Sequence, residues 1–217
     1  MRQNFGKFAQ GGKPRDLRRG LRAYVRKGYS GRSTATQRFG GTATTANALY
    51  GALSSIAGGE PAAPGSPLDP ALLAGRSARE VMDAVVEAVR PTDGTQDAEA
   101  NRTAIKDALS DLLVVHPDAD LLNLTEEQRG LAIERFVAFD IFQRIMLDVG
   151  TAIQEKAPTA SAGSSRIKEV KDYIRQAVAA SFRRLSAAGE RVTKGKITQV
   201  VRAAIAETFR IFEGYAV

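Results

Sequence analysis

Apolar residues along the 217-residue chain recur mainly at intervals of three and four, the spacing of one helix face, rather than in the alternation of a half-buried strand. From Pro14 to Tyr29 the sequence PRDLRRGLRAYVRKGY sets Leu17, Leu21, Tyr24 and Val25 on one stripe, with Arg15, Arg18, Arg19, Arg22 and Arg26 around it. After the Gly40-Gly41 break, Ala46, Leu49, Tyr50, Leu53 and Ile56 keep helical spacing among small residues that let a neighbouring backbone come close. Ser77 and Glu80 read as a capping box, opening a helix whose Val81, Val85, Val86 and Val89 share a face before Pro91. A further helix is expected over about Asp97 to Val115, through Ala104, Ile105, Ala108, Leu109, Leu112 and Leu113, and it stops at His116-Pro117. Thr125 and Gln128 form a second capping box, behind which apolar positions from Leu131 to Ile153 cover more than one face. That breadth predicts the central helix of a bundle, ended by Ala157-Pro158. The Ser/Ala/Gly run 159–165 reads as a loop. Two helices follow, over about Ser165 to Ala188 and Lys194 to Phe212, separated by Gly189.

The stretch EPAAPGSPLDP, Glu60 to Pro70, reads as a linker. Within it Asp69-Pro70 is suited to cap a short turn that Gly75 ends. The chain therefore divides into a basic helical segment (1–59), a Pro-rich linker and short turn (60–75) and a helical bundle domain (76–217). No convincing strand pattern or fixed-period repeat is found. The expected fold is all-α, a multi-helix bundle with a basic helical N-terminal segment.

Composition narrows the chemistry. Aromatics make up only 6% and Trp is absent, so the core must be built mainly from Ala, Val, Leu and Ile. The absence of Cys removes disulfides, thiolate metal sites and cysteine nucleophiles, and fits a reducing, cytoplasmic location. The longest uncharged stretch, Phe39 to Gly59, is too rich in Gly, Ala, Thr and Ser to cross a bilayer, so no membrane partner is expected. The start, MRQNFGKFAQGGKPRD, has no apolar core of a secretory signal and reads as a chain cut into mid-sequence, with further sequence expected upstream.

Charge is unevenly placed. Residues 1–46 hold 11 Lys/Arg and one acid, Asp16, so the formal net charge of +7 belongs to the N-terminal fifth. A second basic excess runs from Ser164 to Arg202, and the middle of the chain is acidic. Such blocks imply either internal complementarity or a polyanionic partner. The candidate partner-binding residues are Arg15, Arg18, Arg19, Arg22, Arg26, Lys27, Arg32 and Arg38. With Phe5, Phe8, Tyr24, Tyr29 and Phe39 interleaved, they are suited to bind nucleic acid by phosphate contacts and some stacking. They are equally suited to dock on an acidic protein surface.

Catalytic groups are scarce. His116 is the sole histidine, and beside Pro117 at a helix end it reads as a cap of terminal carbonyls. Asp118, Asp120 and Asn123 lack the Gly and terminal Glu of a calcium loop and read as a solvated turn. Glu126, Glu127, Glu134 and Asp140 follow spacings read as helix surface, and no Glu-x-x-His pair accompanies them. GERVTKGK, from Gly189 to Lys196, is one residue too long for a phosphate loop and is followed by Ile197 where Ser or Thr belongs. No catalytic residue, metal site or cofactor is therefore expected.

The runs KGYSGRSTATQRFGGTATTANALYGAL, PLDPALLAGRSAREVMDAVVEAVRPTDGTQDAEANRTAIKDAL, DLLNLTEEQRGLAIERFVAFDIF and KEVKDYIRQAVAASFRRL resemble the QatB family of the bacterial Qat anti-phage defence system. The resemblance spans nearly the whole chain. It implies a protein that works beside an ATPase, a TatD-like nuclease and a QueC-like enzyme, similar to 7-cyano-7-deazaguanine synthase. It further implies that the QueC-like enzyme binds this protein and modifies it with a deazaguanine group near a Met-Gly N-terminus. This chain departs from that pattern at Arg2, so the resemblance assigns no modified residue.

Overall fold

The computed structural model describes residues 2–59 and 62–214. Among these, the elements are α1 (Arg2–Ala9), α2 (Pro14–Ala23), a π-helical turn (Tyr24–Gly28), α3 (Arg32–Arg38), α4 (Gly40–Ala57), α5 (Pro70–Leu73) and α6 (Ala78–Val89). They continue with α7 (Gln96–Val115), α8 (Glu126–Lys156), α9 (Ala160–Ala187) and α10 (Ile197–Gly214). The described residues contain no strand, and the fold is the expected all-α bundle.

The helix starts follow the local chemistry read from the sequence. Ser77 accepts the Glu80 N–H at 3.3 Å while the Glu80 carboxylate accepts the Ser77 N–H at 2.9 Å, and that N–H, with the Ser77 hydroxyl and Arg76, holds the Glu80 carboxyl down to about 2. Thr125 and Gln128 repeat the arrangement at the start of α8. Asp69 accepts the Ala71 N–H at 3.0 Å, with Pro70 in the first turn of α5. Glu60 and Pro61, the first residues of the expected linker, lie outside the described residues.

Helix α8, 31 residues and so about 46 Å long, is the axis of the molecule. Every side chain from Phe136 to Phe142 is buried, so all sides of this segment need cover. Along its length α8 packs against α7, α9, α1 and α4, with α1 near its C-terminal end. Helix α10 closes the other side, against α4, α9, α3 and α2. Buried apolar residues from Phe5 to Phe212 form one cluster, to which segments 1–59 and 76–217 both contribute. An edge-to-face series of rings joins them: Tyr24 to Tyr29 (5.2 Å), Tyr29 to Phe39 (5.9 Å) and Phe39 to Phe209 (5.1 Å).

Two expectations are corrected and two short helices are added. The run 159–165 is helix, not loop: Thr159 caps α9 by accepting the Ala162 N–H at 3.1 Å, and Ala and Ser are acceptable in a first turn. Gly163 belongs there because an added Cβ would sit 3.3 Å from the Ala157 Cβ, where α9 folds back on α8. The helix expected from Pro14 to Tyr29 leaves α geometry after Ala23 and ends in the π-helical turn. Helices α1 and α3, of 8 and 7 residues, had no readable periodicity because neither completes enough turns to repeat.

Candidate functional site

Helix α2 is amphipathic in the sense expected. Leu17 and Leu21 are buried with Gly20, and Tyr24 and Val25 continue the inner face into the π-helical turn. Arg15, Arg18, Arg19, Arg26 and Lys27 are exposed on the outer side, Arg22 is half-buried, and Arg32 and Arg38 are exposed on α3. Gly20 sets the closeness of α1, since a Cβ there would lie 3.1 Å from three atoms of the Phe5 ring. The one acid of this segment, Asp16, accepts the Lys13 N–H at 2.9 Å across the helix start. Among the described residues, no carboxylate lies within ion-pair distance of Arg15, Arg19, Arg26 or Lys27, whereas Arg18 and Arg22 have partners.

The second basic block has a different fate. Lys171 and Arg175 of α9 reach Asp107 and Asp111 of α7 at 2.9 and 3.0 Å. Asp111 also receives Arg135 of α8 at 2.7 Å. Farther along, Arg184 and Arg210 both meet Glu207, and Lys196 lies 3.5 Å from Glu190. The C-terminal block thus sets acids of the chain beside many of its cations, whereas Arg15, Arg19, Arg26 and Lys27 of the N-terminal block point outward.

Stacking on the interleaved aromatics is overturned. Phe5, Phe8, Tyr24 and Phe39 are buried in the core, and Tyr29 is half-buried between Tyr24 and Phe39. Burial pushes the Tyr24 phenol up, reinforced by its hydrogen-bond contact with Tyr29, and its hydroxyl donates to Asp148 at 2.9 Å. Arg38 turns into a polar cleft of about 470 Å³, where it and Arg144 face Asp97 and Asp148. Arg38 thus stands beside acids as well as beside Arg144.

The acids divide. Glu126 and Glu127 are exposed, but Glu134 is half-buried and Asp140 is fully buried, which corrects their reading as surface. Asp140 accepts from the Thr42 hydroxyl at 2.5 Å, the Asn101 amide at 2.9 Å and the Arg144 guanidinium at 3.3 Å. Thr45 donates in turn to Asn101 at 3.0 Å. Burial raises the Asp140 carboxyl above the usual range, and Arg144 and Thr42 oppose the rise. Burial also raises Glu134, opposed by Arg135, whose guanidinium is 2.7 Å away. The apolar neighbours of Asp140 in FVAFDIF carried the missed signal, because a lone acid inside a run that must be covered on all sides cannot face water.

His116 is exposed at the end of α7, where its backbone N–H donates to Leu112 at 2.8 Å. Asp120 accepts the Leu122 N–H at 2.9 Å, and Asp118 and Asn123 lie exposed in the same turn. Among the described residues, no group of three or more His, Asp or Glu side chains is placed to hold a metal ion. No helix among them is long and apolar enough to cross a membrane. An apolar groove of about 590 Å³ lies between the end of α4, at Ile56, and the segment carrying Pro67, Leu68 and Leu73.

A family model described as Qat anti-phage system associated protein QatB matches residues 30–212. The match covers the chain from the start of α3 nearly to the end of α10, and begins after α1, α2 and the π-helical turn. Comparison with curated proteins and with solved structures gives no match.

Proposed function

The chain belongs to the QatB family of Qat anti-phage system associated proteins, and on that premise we propose that it acts in the bacterial cytoplasm as a non-enzymatic defence component. In this reading it binds a QueC-like enzyme and is that enzyme's protein substrate for deazaguanine modification near the N-terminus. The ATPase and the TatD-like nuclease of the same system are further partners. The observation that supports a binding role is the employment of the acidic groups. Asp140 is enclosed by Thr42, Asn101 and Arg144, Glu134 and Asp111 meet Arg135, and Glu207 meets Arg184 and Arg210. These acids are taken up in structural contacts, while the outward cations are available to another surface.

Co-expression with the QueC-like enzyme followed by affinity purification at moderate salt tests this reading. The enzyme is expected to be retained, and the chain to show an added mass near its N-terminus in intact and peptide mass spectra. Absence of both the complex and the added mass would end the proposal. A second reading, a nucleic-acid-binding adaptor, is favoured by the exposed Arg15, Arg19 and Arg26. It requires binding to DNA or RNA that weakens steeply with salt. No shift of either nucleic acid at low salt removes it.

A further inference from the structure

We propose that the outer face of α2 and the π-helical turn, carrying Arg15, Arg19, Arg26 and Lys27, is a docking surface for an acidic helix of a protein partner. The proposal rests on the chain being a protein-binding component, but not on which protein it binds. The face lies before residue 30, outside the segment that the family model matches.

Charge complementarity carries the argument. Elsewhere the molecule sets acids of its own beside many of its cations, as with Lys171 on Asp107, Arg175 on Asp111 and Lys106 on Asp83. Arg15, Arg19, Arg26 and Lys27 have no such acid among the described residues. The cations also have a shape. Arg15 and Arg19 stand one turn apart and Arg26 about two turns further along the same side, a ridge about 16 Å long by helical rise.

The molecule contains the pattern of the proposed contact. On α9, Lys171 and Arg175 stand four apart and meet Asp107 and Asp111, also four apart, on α7. Arg15 and Arg19 have that spacing, so an outside helix with Asp or Glu four apart reproduces the same pairing. Nucleic acid fits less well. Four of the five aromatic rings of this segment, Phe5, Phe8, Tyr24 and Phe39, are buried in the core, which leaves the cations of α2 without a stacking platform. A few phosphate contacts give binding that moderate salt largely removes, whereas carboxylates set at the spacing of these arginines add hydrogen-bond geometry to the attraction of charge.

The test compares the full-length chain with an Arg15→Glu, Arg19→Glu, Arg26→Glu variant, whose altered positions are exposed and whose folding is checked by circular dichroism. The probes are a labelled synthetic helical peptide with Glu on successive turns, its Lys counterpart, and a short DNA duplex, each followed by fluorescence anisotropy at moderate salt. The Glu peptide is expected to bind the unaltered chain more tightly than the duplex does. Its affinity should fall by at least about tenfold in the variant, which should gain the Lys peptide instead. Equal affinity of both proteins for the Glu peptide overturns the proposal, as does a duplex that binds the unaltered chain more tightly than the peptide. Co-purification of the QueC-like enzyme, run in parallel, separates the two proposals. Peptide binding by this face without retention of the enzyme supports the surface and removes the enzyme as partner.

Discussion

A carboxylate with no exposed surface persists only where neighbours replace the water it has lost, and Asp140 shows that replacement group by group. Thr42 and Asn101 bring hydrogen-bond donors from α4 and α7, and Arg144 brings a charge from one turn further along α8. The raised pKa sets the sign of its pH linkage. Stability from this group is fully present below the ordinary carboxylate range and is lost as pH rises through the raised folded value, with Arg144 limiting the loss. Removing the acceptor is a different matter from ionising it. Asp140→Ala leaves the Thr42 hydroxyl, the Asn101 amide and the Arg144 guanidinium without their shared partner, and is expected to cost about 3–5 kcal/mol. Thr42→Val removes one donor and leaves two in place, for a cost of about 1 kcal/mol. Urea unfolding of the two variants distinguishes the cases, and equal midpoints would show that Asp140 is not the centre of the network.

At the scale of elements, Gly20 decides whether α1 can lie on α2. The Phe5 ring occupies the space a side chain would take, and it is itself fully buried, so it has little room to retreat. Gly20→Val is expected to destabilise the protein by about 1–3 kcal/mol, because overpacking outweighs the backbone entropy gained on replacing Gly in a helix. Thermal unfolding checks the sign, and an unchanged or raised midpoint would show that α1 yields freely. This contact was not legible in the sequence, because it joins two short elements, one of them without any periodic pattern. The caps were legible: Ser77 with Glu80, Thr125 with Gln128 and Asp69 before Pro70 each act within three residues, a range over which sequence and structure coincide. The loop expected at 159–165 shows the opposite limit. Small residues carry no apolar stripe, so the Thr159 cap was the one local sign of a helix, and the close approach of Gly163 to Ala157 at the end of α8 becomes visible only in the fold. The cationic face was readable as charge, but whether its rings faced outward depended on the position of α8 and α10.

For the whole molecule, the family match and the core do not have the same limits. The match starts at residue 30, yet Phe5, Phe8, Leu17, Leu21, Tyr24 and Val25 are almost completely buried in the one cluster that also holds α8 and α10. Full burial of a large apolar side chain contributes about 1.5–3 kcal/mol, so removing these six forfeits more than a domain's usual net stability of about 5–15 kcal/mol can readily spare. A chain beginning at residue 30 would also expose the apolar sides of α8 and α10 that α1 and α2 cover. The truncated protein is therefore expected to lose cooperative unfolding, bind a hydrophobic dye and self-associate, although it keeps the whole of the matched segment. Calorimetry with dye fluorescence reads this directly, and a sharp transition near that of the full chain would show that residues 2–29 are an appendage. In the expected outcome the cations of α2 are fixed on the bundle by the same helix that completes its core. A partner gripping that face would then bear on α1 and α10 beneath it, which couples recognition at the N-terminal segment to the stability of the whole fold.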